Sequence, residues 1–79
     1  MNIQEIISQL TPIFTEVLDV ENLTLTPQIQ ADDIEEWDSL SHIQLIVAIE
    51  KHFNLKFTSL EIQGWKNVQD ICSTILNKE

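Results

Sequence analysis

Glu36-Trp37-Asp38-Ser39-Leu40-Ser41-His42-Ile43-Gln44 is the stretch on which the reading of this chain turns. Five acids, Asp32, Asp33, Glu35, Glu36 and Asp38, lead into Ser39, and the longest apolar periodic segment of the chain begins directly after it. Ser39 therefore stands where a loop becomes a helix. The first N–H groups of a helix lack partners inside it, and the aligned peptide dipoles make that end positive, so a hydroxyl placed there suits a phosphodiester. The plain alternative is that Asp38 or Ser39 is only an N-cap, a role worth about 1 kcal/mol.

Downstream, Leu40, Ile43, Ile46, Val47, Ile49 and Phe53 form an apolar stripe that predicts a helix from about Ser39 to Phe53, with Ser41, His42, Gln44 and Lys51 off it. Lys51 and His52 suit the negative end of that helix, and Asn54 suits the left-handed residue that closes it, with Leu55 folding back. Thr58-Ser59-Leu60-Glu61 has capping-box spacing, so a short helix begins near Ser59 and stops at Gly64. Asn67 caps a last helix with Asp70 in its first turn and Val68, Ile71, Cys72, Ile75 and Leu76 on one face.

Upstream, Ile3, Ile6, Ile7, Leu10, Ile13, Phe14, Val17 and Leu18 predict a first helix, in which Pro12 produces a kink or a break with Thr11 recapping. Asp19 to Trp37 holds no period and reads as a long loop pinned by Leu23, Leu25 and Ile29. Asp33 and Glu36 suggest a capped turn at residues 34–37, while Leu23 to Leu25 is a weak strand candidate without a partner. Trp37 either packs over the loop or stays exposed. The expected fold is all-α: a small four-helix bundle of three long helices and a short third, with a long loop between the first two, forming a single domain over residues 1–79.

Charge narrows the function. Residues 1–50 hold ten acids and no Lys or Arg, and the rest hold three acids and four lysines, giving −9 overall. Such a field excludes nucleic acid and anionic membrane and favours basic partners. With no arginine and one glycine, the chain has neither a guanidinium clamp nor a glycine-rich cradle for a free nucleotide. A phosphate at Ser39 is therefore read as bonded rather than bound. There is no positively charged start followed by an apolar run, and no stretch approaching about 18 apolar residues, so the reading is of a soluble, untargeted protein; a cytoplasmic location and a monomeric state are the accompanying expectations. Cys72, the single cysteine, reads as a small buried residue rather than a nucleophile. Ser39 and His42 within one turn invite a hydrolase reading, but no orienting acid follows His42 and no glycine builds a nucleophile elbow, so His42 is expected to face solvent. The acids near Ser39 lack the glycine and terminal glutamate of a calcium loop, and no metal is expected.

The order of helix, acidic loop, Asp38-Ser39-Leu40, helix, short helix and helix resembles the acyl carrier protein family over essentially the whole chain. The form Glu36 to Ile43 is similar to stand-alone carriers of specialised pathways. The resemblance implies that Ser39 receives 4'-phosphopantetheine from coenzyme A through a separate phosphopantetheinyl transferase. The arm's thiol then holds an acyl group as a thioester, as in fatty acid or polyketide biosynthesis, and the chain is not itself an enzyme. It also implies partner-facing positions at Leu40, Gln44, Val47 and Glu50 beside Asp38, meeting basic patches on loading ligases and acyl-processing enzymes. Ile43, Val47, Ile62 and Trp65 match the lining of an acyl-chain slot, for which ordinary core packing is the alternative. Ser41, Gln44 and Lys51 stand where the best-known fatty-acid carriers are acidic, so the negative field lies upstream, in the loop. An aminoacyl or peptidyl cargo is a variant of this reading. An unmodified helical interaction module is the reading from a different class.

Overall fold

The computed structural model describes residues 1–78. It contains α1 (Ile3–Leu18), α2 (Ser39–Phe53), α3 (Ser59–Gln63) and α4 (Val68–Asn77), with a 3-10 turn at Ala31–Asp33 in the long loop, and no strand among the described residues. Every helix start has a side-chain cap: Asn2, Asp38, Thr58 and Asn67 accept the N–H of Glu5, Ser41, Glu61 and Asp70 respectively. α1 and α2 both close on left-handed residues, Asp19 and Asn54, and the following Val20 and Leu55 N–H groups return to Thr15 and Glu50. Gly64 ends α3 with φ −80, so its lack of a side chain is not what stops the helix.

α1 runs through Pro12 unbroken, and the expected recapping by Thr11 does not occur. The Thr11 hydroxyl instead donates to the Ile7 carbonyl at 2.8 Å, as that of Thr15 does to Thr11. An interior proline costs about 3 kcal/mol, whereas each buried apolar side chain returns roughly 1.5–3 kcal/mol. Ile6, Ile7, Leu10, Phe14 and Leu18 lie buried on both sides of exposed Pro12, so a continuous face outweighs the break.

The apolar stripe read on α2 needs correction. Ser41, Leu45 and Ile49 face the core, while Leu40, Ile43 and Val47 are exposed. Apolar residues surround most of this helix, so spacing alone did not select the face; packing against α1 does. In α4, Val68, Ile71, Cys72 and Ile75 complete the core.

The loop between α1 and α2 is pinned twice. Leu25 and Trp37 are buried, with Leu23 and Ile29 partly so, and the backbone docks on the start of α4, where Val68 and Gln69 N–H groups donate to the Ile29 and Pro27 carbonyls at 2.9 and 3.0 Å. Those bonds satisfy N–H groups that a helix start otherwise leaves open. Asp33 does not cap the following turn: its carboxylate accepts the Gln30 N–H at 2.9 Å, and the 34–37 turn closes through Trp37 N–H to the Ile34 carbonyl. The strand considered for Leu23 to Leu25 does not form.

Candidate functional site

Two serines two residues apart are put to opposite uses. Asp38 is the N-cap of α2, and its carboxylate accepts the Ser41 N–H at 2.9 Å. Ser41 Oγ accepts the Asp38 N–H at 2.8 Å and donates to the Glu36 carbonyl at 2.8 Å, and the residue is 8% exposed. The Ser41 backbone N–H, with its hydroxyl, holds the Asp38 carboxyl below its ordinary value. Ser41, read from the sequence as lying off the buried stripe, is thus a buried hub of the turn. Ser39, the first residue of α2, is exposed, and its hydroxyl has no partner among the described residues.

Trp37 resolves to the buried alternative. Its ring meets Phe14 edge-on at 5.1 Å, and its Nε1–H donates to His42 Nδ1 at 3.0 Å. His42 is half-buried rather than solvent-facing, and burial pushes its pKa down. The Trp65 ring stands edge-on to His42 at 6.3 Å and to Phe57 at 4.9 Å, while its Nε1–H donates to Thr74 Oγ1 at 2.9 Å. Trp37, His42 and Trp65 border an open cleft of about 540 Å³, lined also by Ala31, Asp32, Asp38 and Ser39. No bond joins Ser39 to His42.

Of the four residues matched to an acyl slot, two border different surface depressions. Trp65 borders the Ser39 cleft, whereas Val47 lines a groove of about 310 Å³ with Glu50, Lys51 and Lys56. Ile43 is 60% exposed, and Ile62 is half-buried. Among the positions read as partner-facing, Leu40, Gln44 and Val47 are exposed, while Glu50 is half-buried and its carboxylate accepts the Phe57 N–H at 2.8 Å. Asp38 is exposed as a residue while its carboxylate serves the cap. Cys72 is fully buried and its thiol is pushed up to about 11 by desolvation. Among the described residues no group of three or more His, Cys, Asp or Glu side chains is placed to hold a metal, and no helix is long and apolar enough to cross a membrane.

Comparison with known proteins places this arrangement. The family described as "Phosphopantetheine attachment site" matches residues 8–75. An acyl carrier protein of Thermosynechococcus vestitus is 33% identical over 79 residues, covering 99% of this chain and 96% of the relative. A meromycolate extension acyl carrier protein of Mycolicibacterium aurum is 32% identical over 96% of this chain and 78% of its own length. The solution structure of holo acyl carrier protein from Geobacter metallireducens superposes with a TM-score of 0.86 at 44% identity, over 91% of this chain and 83% of that one. A four-helix fold matched over most of its length by a phosphopantetheine attachment family defines the class, a carrier dependent on a covalent prosthetic group. The chain belongs to the acyl carrier protein family. It is a carrier, not an enzyme, and its prosthetic group is 4'-phosphopantetheine; carriers of this family work with a phosphopantetheinyl transferase and acyl-processing enzymes.

Proposed function

We propose that Ser39 is the attachment residue, and that the chain, as a cytoplasmic monomer, presents an acyl group to partner enzymes from this point. The observation that carries this reading is the contrast between the serines: Ser39 Oγ is exposed and unpartnered, whereas Ser41 Oγ is buried and bonded to Glu36 and Asp38. Bonded as a phosphodiester, the group supplies a thiol on a long arm, where the cargo is held as a thioester. Everything else falls to the protein's own residues. The Asp38 and Ser41 cap fixes the first turn of α2, so Ser39 is offered in one orientation to a transferase. The α2 dipole favours the negative charge that modification adds there.

Leu40, Ile43 and Val47 form an exposed apolar stripe along the outer face of α2, with Gln44 beside it, and Leu60 on α3 is 82% exposed. Exposed apolar residues grouped in this way, beside the acids of the preceding loop, suit a partner with an apolar contact ringed by basic side chains. Glu50 serves the same face with whatever capacity its bond to Phe57 leaves. Ile43 and Val47 are exposed enough to serve in docking, and with Ile62 and Trp65 they also remain the residues proposed to line an acyl-chain slot. The test is intact-protein mass after incubation with coenzyme A and a promiscuous phosphopantetheinyl transferase. The expected result is a gain of one phosphopantetheine in the parent and none in Ser39→Ala. No gain across several transferases would favour an unmodified interaction module instead.

A further inference from the structure

The lysines of this chain are few and unevenly placed. Residues 1–50 contain no Lys or Arg, and the lysines that follow are Lys51, Lys56, Lys66 and Lys78. Lys78 is paired with Glu61 at 3.0 Å. Lys51 and Lys56, by contrast, are exposed and make no ion pair among the described residues, and both line one groove of about 310 Å³ at the end of α2. The left-handed turn at Asn54 ends the helix and returns the chain so that Lys56 reaches the groove that Lys51 lines. Lys51 lies four residues beyond Val47 and so continues the exposed face on which Leu40, Gln44 and Val47 stand. Glu50, the single acid of α2, lines the groove as well, but its carboxylate accepts the Phe57 N–H at 2.8 Å. At the other end of the helix Asp32, Asp33, Glu35, Glu36 and Asp38 are all exposed. The outer face of α2 therefore runs from acid at Ser39 to base at Lys51, a span of about 18 Å at ~1.5 Å per residue.

Resting on the reading of this chain as a carrier that presents its cargo from Ser39, we propose that the groove at the end of α2 receives an acidic patch of the partner enzyme, and that Lys51 and Lys56 select for it. The partner's contact surface is then two-signed. Basic side chains meet the loop acids, an apolar centre meets Leu40 and Val47, and carboxylates stand about 18 Å from the basic group. That span fits inside an ordinary interface of about 800 Å² per partner. A partner that is basic throughout meets two uncompensated like charges at this end, so the lysines discriminate by repulsion as well as by attraction. The groove lies at the negative end of the α2 dipole, which suits the lysines and disfavours a small anion taken against the last carbonyls. The acidic complement is accordingly a protein surface and not a free phosphate. A second copy of this chain would bring its loop acids to the lysines, but two molecules at −9 each repel one another.

The experiment measures kcat/KM of two phosphopantetheinyl transferases, by gain of mass, on the parent, on Lys51→Gln/Lys56→Gln and on Lys51→Glu/Lys56→Glu. One enzyme is chosen for a carrier-contacting surface that is basic throughout, the other for a basic patch with an acidic patch about 18 Å away. The ratio of the two values cancels any loss of folded protein common to both assays. Relative to the parent, the doubly neutral variant is expected to move the ratio toward the wholly basic enzyme, and the charge-reversed variant to move it further, by about tenfold, since each exposed ion pair is worth a factor of up to about five. The shift should collapse at about 1 M salt, where the screening length falls to about 3 Å. A ratio that is the same in all three proteins overturns the proposal, and so does a shift that survives high salt. Dimers of the parent in sedimentation that the charge-reversed variant loses assign the groove to a second copy and overturn the enzyme partner. If neither transferase adds mass to any of the proteins, the assignment of Ser39 fails and takes this inference with it, whereas an unchanged ratio with mass gained refutes this inference alone.

Discussion

Replacing Ser41 with alanine and Ser39 with alanine should give opposite outcomes, although the residues are two apart. Ser41→Ala removes a hydroxyl that accepts from the Asp38 N–H and donates to the Glu36 carbonyl, both at 2.8 Å, in a residue only 8% exposed. A net hydrogen bond is worth about 0.5–1.5 kcal/mol, so two lost bonds cost roughly 1–3 kcal/mol. In a domain of this size about 1 kcal/mol moves Tm by roughly 4–8 °C, which translates to a fall on the order of 5–20 °C. Ser39→Ala removes an exposed, unpartnered hydroxyl from the first helical position, a change of about ±0.5 kcal/mol. Thermal unfolding of the unmodified proteins followed by far-UV circular dichroism measures both. Should Ser39→Ala lower Tm as far as Ser41→Ala, or Ser41→Ala leave it unchanged, the division of labour between the two serines is refuted.

Burial lowers the His42 pKa below its ordinary value of about 6.5, so the neutral ring is favoured in the folded chain and its stabilisation is complete above that pH and lost as pH falls through the folded value. Tm should therefore drop in the parent on going from about pH 7.5 to about pH 5.5, more steeply than in His42→Gln, and equal slopes would contradict the assignment. The Asp38 and Glu61 carboxyls are also held below their ordinary values, so their stabilisation is lost only at lower pH, outside that window. Cys72, buried with its thiol pushed up to about 11, should resist a thiol reagent at neutral pH until the chain is unfolded, and rapid native labelling would show the α4 face to be open. Leu40→Ala should leave Tm within a few degrees of the parent while lowering kcat/KM of the transferase for this substrate, since Leu40 is 68% exposed.

Helix ends were the legible part of this fold because each is written in side chains next to it. Asp38, Thr58 and Asn67 start helices and Asn54 ends one, all at positions readable from capping chemistry. The buried face of α2 was not legible. A helix apolar on nearly every side offers no phase, and the choice of Leu45 and Ile49 over Leu40, Ile43 and Val47 is made by α1. Ser41 was misplaced for the same reason, since a small polar residue on the core side looks like a surface residue until its two backbone partners are known. The docking of the long loop on α4 runs through the Pro27 and Ile29 carbonyls, which leave no trace in residue identity. The Trp37–His42 bond has a faint trace in the sequence, a tryptophan and a histidine five residues apart across a helix start. Phe14, far away in the sequence, packs edge-on against the same indole.

The claim at the centre of this account is that one particular oxygen, Ser39 Oγ, bears the arm. The chain has five serines, at 8, 39, 41, 59 and 73, and proteolysis after Lys51 separates the first three from the others. The deciding measurement is fragmentation mass spectrometry of the peptide spanning residues 1–51 after conversion with coenzyme A and a transferase. The added phosphopantetheine is expected on Ser39 alone. Modification found on Ser41 or on any other serine, or an unmodified peptide from a protein presented to several transferases, would contradict it.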